Sequence, residues 1–472
     1  MTPSGGSEQE DPFAGDDPLD AAGGSGDSPA AVEQPTAGEE ASDDFDALGF
    51  DTGFGMDPGG LGDEDDTPPG GIYIGEDVSV LDAASIGRAL AEADGTTEDY
   101  SLPDMGELAE GLVGIDLGAA VAVVAVFNKD GKHEIVPNAD DDLNTPVQLF
   151  FDDDGERLVG REAREMAPSA PQRAVLDLKA AITDEGFRLE AGEEHGGALA
   201  AEDVVTVLIE RLLADVREHT GEAPTHVALA APLWFEERHR EVLRRAVERV
   251  GATLVGITDE ALAAAVPYSL RLPDLNERRA LVFDLGHAAL SVAVVRCAAG
   301  DIEVLAQASE QELGSHAWDE LLAREAARKF EQKYGLNPLE DPAAAFDLRL
   351  RAEDAKKALS QRAQVTLVAS CQGKTLKVGF SRQGFEEAAR PLLEGARALM
   401  ERVRDEAGVG SWEELDAVIM AGGGSRTPAV RRMLAKTTGK TIERGISPED
   451  GVAVGSLYWG AGERHRQSRP DV

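Results

Sequence analysis

The sequence predicts an α/β protein made of two similar halves that face each other across a cleft, preceded by an acidic segment with no core of its own. Three observations carry this. Strand-like and helix-like runs alternate from residue 111 onward, the pattern of sheets covered by helices. One strand–turn–strand unit occurs twice, at 112–127 and at 281–296. The charge is lopsided: 29 of the 89 Asp and Glu residues fall within the first 110 positions, against a single basic residue there, Arg88.

Taken in order, residues 1–70 are rich in Asp, Glu, Gly and Pro and lack apolar periodicity. Such a stretch cannot bury enough apolar surface to offset its chain entropy, so a disordered acidic tail is predicted. Its charge repels nucleic acid and anionic membrane and attracts basic protein partners. Residues 71–110 read as a linker with two short helical stretches, one carrying Leu81, Ile86 and Leu90, the other Leu102, Met105 and Leu108.

The first half, 111–280, opens with LVGIDLGAAVAVVAVF, a strand, a tight Asp-Leu-Gly turn and a second strand. In EDVVTVLIERLLADV (202–216), Val205, Leu208, Leu212 and Val216 mark one helical face, and Glu202 and Asp203 suit a helix N-terminus. THVALAAP (225–232) is a strand, 235–250 a helix, ATLVGI (252–257) a strand and EALAAAV (260–266) a helix of small residues. The second half, 281–462, repeats the theme. LVFDLGHAALSVAVVR is the hairpin, DAVIMAGGG (416–424) the later strand, 427–438 a helix, and GVAVGSL (451–457) the matching small-residue helix. ERHRQSRPDV (463–472) reads as a polar tail.

Composition narrows the function classes. Cys297 and Cys371 are far apart and without a ligand cluster, so neither a disulfide framework nor a zinc site is expected. No apolar run reaches membrane-spanning length, and no basic-then-apolar leader opens the chain. A cytoplasmic protein with no nucleic-acid or membrane partner is the expectation.

The chemistry lies in the turns. An Asp at a strand end followed by Gly offers a carboxylate to a hydrated magnesium ion, and lets backbone N–H groups approach phosphate oxygens. A single Asp-Leu-Gly is weak evidence; two at equivalent points of a duplicated pattern, Asp116 to Gly118 and Asp284 to Gly286, are much stronger. Glu353, Lys356, Lys357 and Ser360 have the spacing that puts them on one side of one helix. The stems of such lysines can sandwich a flat ring while their charged heads stay wet. Gly422, Gly423 and Gly424 form a strip able to bring backbone close to a ligand.

VGIDLG (113–118), FDLG (283–286), DEALAAAV (259–266), EDAKKALS (353–360) and GGGSRTP (422–428) resemble, in this order, the ATPase domain of the 70-kDa heat-shock chaperone family. The intervening PNADDDLNTPVQLFF, ERLVGREA, VLDLKAAI and PLWFEERHR agree, and the likeness runs from about 112 to about 460. It implies a duplicated fold of the actin and hexokinase type, with two lobes around a nucleotide cleft. It implies ATP or ADP with magnesium as ligands. At the adenosine end it assigns Glu353, Lys356, Lys357, Ser360, Arg426 and Glu449, beside Gly422–Gly424. At the phosphate end it assigns Lys179 to the attacking water, Glu260 and Asp284 to metal and water, and Asp116 to the metal. Gly118 and Gly286 take the phosphate turns, and Pro232 and Arg240 a relay of nucleotide state.

The departures lie in those turns. Where the family has two threonines after the first Asp-Leu-Gly, this chain has Ala119 and Ala120. Where the second turn has two glycines, a threonine and then an aspartate, this chain has His287, Ala288, Ala289 and Ser291. Losing one pre-organised donor costs about two to three orders of magnitude in rate, so little turnover is expected. His287 could contact a phosphate, but a lone His reads more readily as a tolerated surface side chain. The likeness stops at about 460 and a polar stretch follows, so a protein lacking the family's peptide-binding domain is the expectation. The expectation is a weakly hydrolysing nucleotide-dependent switch or scaffold; the alternative is an active ATPase that assists protein folding. An actin-like structural subunit or a sugar kinase fits less well, because those families build the adenosine end differently.

Overall fold

The computed structural model describes residues 106–468 apart from 153, 193–196, 273–275, 299–300 and 444–445. The expected acidic tail and the linker up to residue 105 lie outside the described residues.

Two sheets organise the fold. The first runs, in spatial order, Thr253–Asp259, His226–Ala231, Leu112–Leu117, Val121–Phe127 and His133–Ile135, with Thr145–Pro146 also paired to Val121–Phe127. The second runs Asp301–Glu310, Leu290–Ala298, Arg278–Leu285 and Ala417–Ala421. Their central strands are continuous apolar runs because both faces are covered, as in VAVVAV and ALVF. Leu112–Leu117 pairs antiparallel with its hairpin partner and parallel with His226–Ala231. Arg278–Leu285 does the same with Leu290–Ala298 and Ala417–Ala421. Asp116 stands opposite Ala230 and Asp284 opposite Ala421, so each carboxylate leaves its sheet at the same end of a parallel pair. Among the described residues the second half shows no full counterpart of Thr253–Asp259; Ile442 makes a single parallel bridge to Val418 there.

Two helices join the sheets. Glu260–Leu270 is buried from Glu260 through Ser269, which an alanine-rich sequence permits on every face. Gly451–Ser468 crosses it so closely that a Cβ at Gly455 would overlap the carbonyl oxygen of Ala263. One apolar cluster runs through both, from Leu112 and Ala228 of the first sheet, by Leu262, Val266, Val454 and Leu457, to Val282 and Val295 of the second. The outer face of the first sheet is covered by Ala201–Thr220 and Glu237–Arg249, where Leu208, Ile209, Leu212, Leu243 and Val247 pack on Ile115 and Val124. The second sheet is covered by Ser315–Tyr334, Pro342–Leu359 and Arg390–Glu406, through Trp318, Phe330, Leu348 and Met400.

From 463 to 468 the polar stretch is helix rather than tail, and residues 469–472 lie outside the described residues. The helix continues to Ser468, where Arg464 Nη1 donates to the carbonyls of Leu108 (2.6 Å) and Glu110 (3.0 Å), and Gln467 Nε2 to that of Val255 (3.3 Å). Polar residues do not end a helix by themselves, and long side chains reach backbone that a small-residue face leaves exposed. Gly106–Ala109 forms a four-residue helix that includes Leu108, while Leu102 and Met105 lie outside the described residues. Among the described residues no helix is long and apolar enough to cross a membrane.

Candidate functional site

The strand ends of both sheets, the first turn of Glu260–Leu270, the last turns of Pro342–Leu359 and the Gly422–Gly424 strip open onto one cavity of about 480 Å³. The fifteen residues that the resemblance assigns to the phosphate and adenosine ends all line it, whereas Pro232 and Arg240, assigned to a relay, do not.

On the floor, three carboxylates meet one ammonium. Asp177 caps the helix Leu178–Thr183 by accepting from Ala180 N (3.0 Å), which projects Lys179 into the cleft. Lys179 Nζ lies 2.5 Å from Glu260 Oε1, both side chains 10% exposed. Asp116 and Asp284 complete the group. Burial, then the Glu260 charge, pushes the Asp116 carboxyl up to about 7 against the pull of Lys179. Burial, Glu260 and Asp116 likewise raise Asp284 well above the carboxylate range. For Lys179 burial favours the neutral amine, but Glu260, Asp116 and Asp284 outweigh it and hold the ammonium. Fully ionised, the three carboxylates would exceed what one lysine offsets, so Asp116 and Asp284 retain protons that a divalent cation would displace. Among the described residues no three His, Cys, Asp or Glu side chains converge as a direct metal-ligand set.

At the other end, Lys357 Nζ pairs with Glu353 Oε1 one turn earlier (2.7 Å), and Glu353 Oε2 also receives Arg164 Nη2 at 3.2 Å. Burial would raise Glu353, yet Lys357 and Arg164 bring it down to about 2. Arg164 also holds Asp354 Oδ1 (2.8 Å) and the carbonyl of Leu350 (3.3 Å), tying the helix Arg161–Met166 to Pro342–Leu359. Lys356 departs from the expectation of a wet head. Its ammonium is buried and donates to Ser315 O (3.0 Å), Ser315 Oγ (3.3 Å) and Asp319 Oδ2 (2.8 Å). The reason is position: Lys356 faces the helix Ser315–Tyr334, whereas Lys357, one residue on, is half-exposed. Ser360 ends this helix, its Oγ 3.4 Å from the carbonyl of Lys356. Across the cavity Arg426 pairs with Glu449 and donates to Ser447 Oγ (2.9 Å). Gly422 has φ 74°, and a Cβ there would overlap Leu285 O and crowd Asp284 Oδ1. Only glycine lets the strip touch the second turn.

The turns themselves are apolar. Ala119 and Ala289 are buried, and Ala288 packs on the apolar cluster of the first sheet. The Ser291 hydroxyl pairs with that of Ser309 (3.0 Å). His287 is not a surface side chain: it lines the cavity, and burial followed by the Lys356 charge lowers it to about 4. Its backbone is fixed by His316, whose N–H (3.1 Å) and Nδ1 (2.9 Å) both meet the His287 carbonyl. Pro232 O accepts from Phe235 N (3.0 Å), and the Arg240 charge acts on Asp259, the cap of Glu260–Leu270. Sequence reasoning missed Arg164, Asp319 and Trp234. Arg164 and Asp319 reach partners far along the chain, which no local pattern announces; Trp234 lay inside a matched stretch without a role, and lines the cavity.

A protein-family model described as Hsp70 protein matches residues 112–461. The Chaperone protein DnaK of Thermotoga neapolitana is 29% identical over 365 residues, which cover 76% of this chain and 60% of that relative. Those of Thermotoga petrophila and Thermotoga maritima match to the same extent. The chain therefore spans about 60% of the length of the curated relatives it matches. With that match extending over both sheets and every element that builds the cavity, the chain belongs to the Hsp70 family.

Proposed function

We propose that this chain is an adenine-nucleotide-binding protein that hydrolyses ATP poorly and acts as a nucleotide-dependent switch or scaffold. The observation that carries this is a contrast within one cavity: the groups expected at the adenosine end line it, while the phosphate turns present Ala119, Ala120, Ala288 and Ala289. The matching register of Asp116 and Asp284 supports a duplicated two-lobed fold of the actin type. In this reading the stems of Lys357 and Arg426 would hold the adenine ring, and Glu353, Ser360 and Gly422–Gly424 would line the rest of the adenosine site. Asp116 and Asp284 would hold magnesium through its water shell, and the cluster of carboxyl groups fits that ion. When bound, the ion neutralises charge on the phosphate chain. Lys179, held charged by Glu260, would orient a water toward the terminal phosphate. Positioning is what this transfer needs most, and the turns lack the hydroxyls to fix the γ-phosphate in line.

A second reading, an active ATPase assisting protein folding, is favoured by the intact Lys179–Glu260 pair. Steady-state turnover separates them. The replacements Ala119→Thr, Ala120→Thr, His287→Gly, Ala288→Gly and Ala289→Thr together are expected to raise turnover by about an order of magnitude or more. An unaltered chain that already turns over as fast as this variant would establish the active reading. Protein partners, engaged in part through the acidic tail, read the nucleotide state.

A further inference from the structure

Every positively charged side chain lining the cavity already has an anionic partner: Lys179 has Glu260, Lys356 has Asp319, Lys357 has Glu353 and Arg426 has Glu449. A phosphate chain entering between the two ends meets Asp116, Glu260 and Asp284 and the methyl groups of the turns. His287 is the exception on the second turn. Its Nδ1 stands 4.0 Å from Asp319 Oδ2, beyond hydrogen-bond length, and among the described residues neither ring nitrogen is in a hydrogen bond. The side chain is 27% exposed, open to the cavity, and the carbonyl beneath it is fastened by His316.

We propose that His287 is a ligand for the phosphate chain of the bound nucleotide, supplying from its imidazole the donor that the lost turn hydroxyls no longer give. This rests on the adenine-nucleotide reading and adds to it a specificity-determining residue. A neutral imidazole carries one N–H donor in either tautomer, and protonation adds a second. An anion placed against it favours the protonated ring, so binding and proton uptake are coupled. The groups facing the ring are Lys356 and Glu353 from Pro342–Leu359, His316 and Asp319 from Ser315–Tyr334, and Asp177 ahead of Leu178–Thr183. Lys356 opposes ring protonation; Glu353 and Asp177 favour it.

The test is calorimetric titration of the full chain with adenosine and with ADP, for the unaltered protein, His287→Ala and His287→Gln. Adenosine affinity stays within about twofold in all three. ADP affinity falls about tenfold in His287→Ala, the usual cost of a hydrogen bond to a charged group, and Gln recovers part of it. In ¹⁵N spectra the His287 ring titrates near 4 in the free protein and moves upward with ADP but not with adenosine. If adenosine binds and His287→Ala holds ADP as tightly as the unaltered chain, or more tightly, the ring is an obstruction and this inference fails alone. If neither adenosine nor ADP binds, the nucleotide reading fails and takes the inference with it.

Discussion

Replacing Asp116 by Asn tests whether the cleft floor holds more negative charge than it can offset. The carboxyl is raised from about 3.8 to about 7, chiefly by burial and then by Glu260. A carboxyl raised on folding is held protonated in the fold at a pH where the unfolded chain has released its proton. The Asp116 contribution to the stability of the metal-free protein is therefore lost as pH climbs from about 4 to about 7. At 1.36 kcal/mol per pH unit the full span is about 4 kcal/mol. Asp284 competes for the same protons, so about 2–3 kcal/mol is assigned to Asp116 between pH 5 and 8. The assay is urea unfolding in the presence of a chelator, for the unaltered chain and Asp116→Asn. The unaltered chain should lose stability over that interval, the Asn variant should be flatter, and added magnesium should restore the unaltered chain more than the variant. Parallel pH profiles would refute the charge excess and remove the support for water-mediated magnesium.

Other expectations follow from single contacts. Asp319→Ala strands the buried Lys356 ammonium and should cost about 3–5 kcal/mol, whereas the pair Asp319→Leu with Lys356→Met should cost far less; equal losses in thermal or urea unfolding would contradict the buried pairing. Gly422→Ala places a Cβ against Leu285 O in a left-handed backbone, and should destabilise by about 2 kcal/mol or more while weakening adenosine binding. Arg164→Ala removes the tie to Glu353, Asp354 and Leu350, so hydrogen exchange in Arg161–Met166 should quicken with little change at Glu260–Leu270.

Much of this was legible because the signals are local. Asp116 and Asp284 announce themselves at strand ends before Gly, and the spacing of Glu353, Lys356, Lys357 and Ser360 specifies one side of a helix. The alanine and glycine runs at 260–266 and 451–457 marked the two helices that cross between the sheets. What was not legible depends on partners distant in sequence. Nothing near Lys356 says that Asp319 will take its ammonium out of water. Nothing in HAAL says that Ala288 will pack on the opposite sheet's cluster and leave His287 inside the cleft. The polar 463–468 stretch misled because its helix is held by carbonyls at Leu108, Glu110 and Val255, which are far from it in sequence.

The central claim is that adenosine recognition survives in this cleft while phosphate positioning does not. Equilibrium titration of the full chain with adenosine, ADP and ATP, with and without magnesium, tests it most directly. All three are expected to bind, ATP no more than about tenfold more tightly than adenosine, with magnesium strengthening only the phosphorylated ligands. Failure of all three to bind at millimolar concentration would contradict adenosine recognition. ATP binding a thousandfold more tightly than adenosine would contradict the eroded phosphate turns.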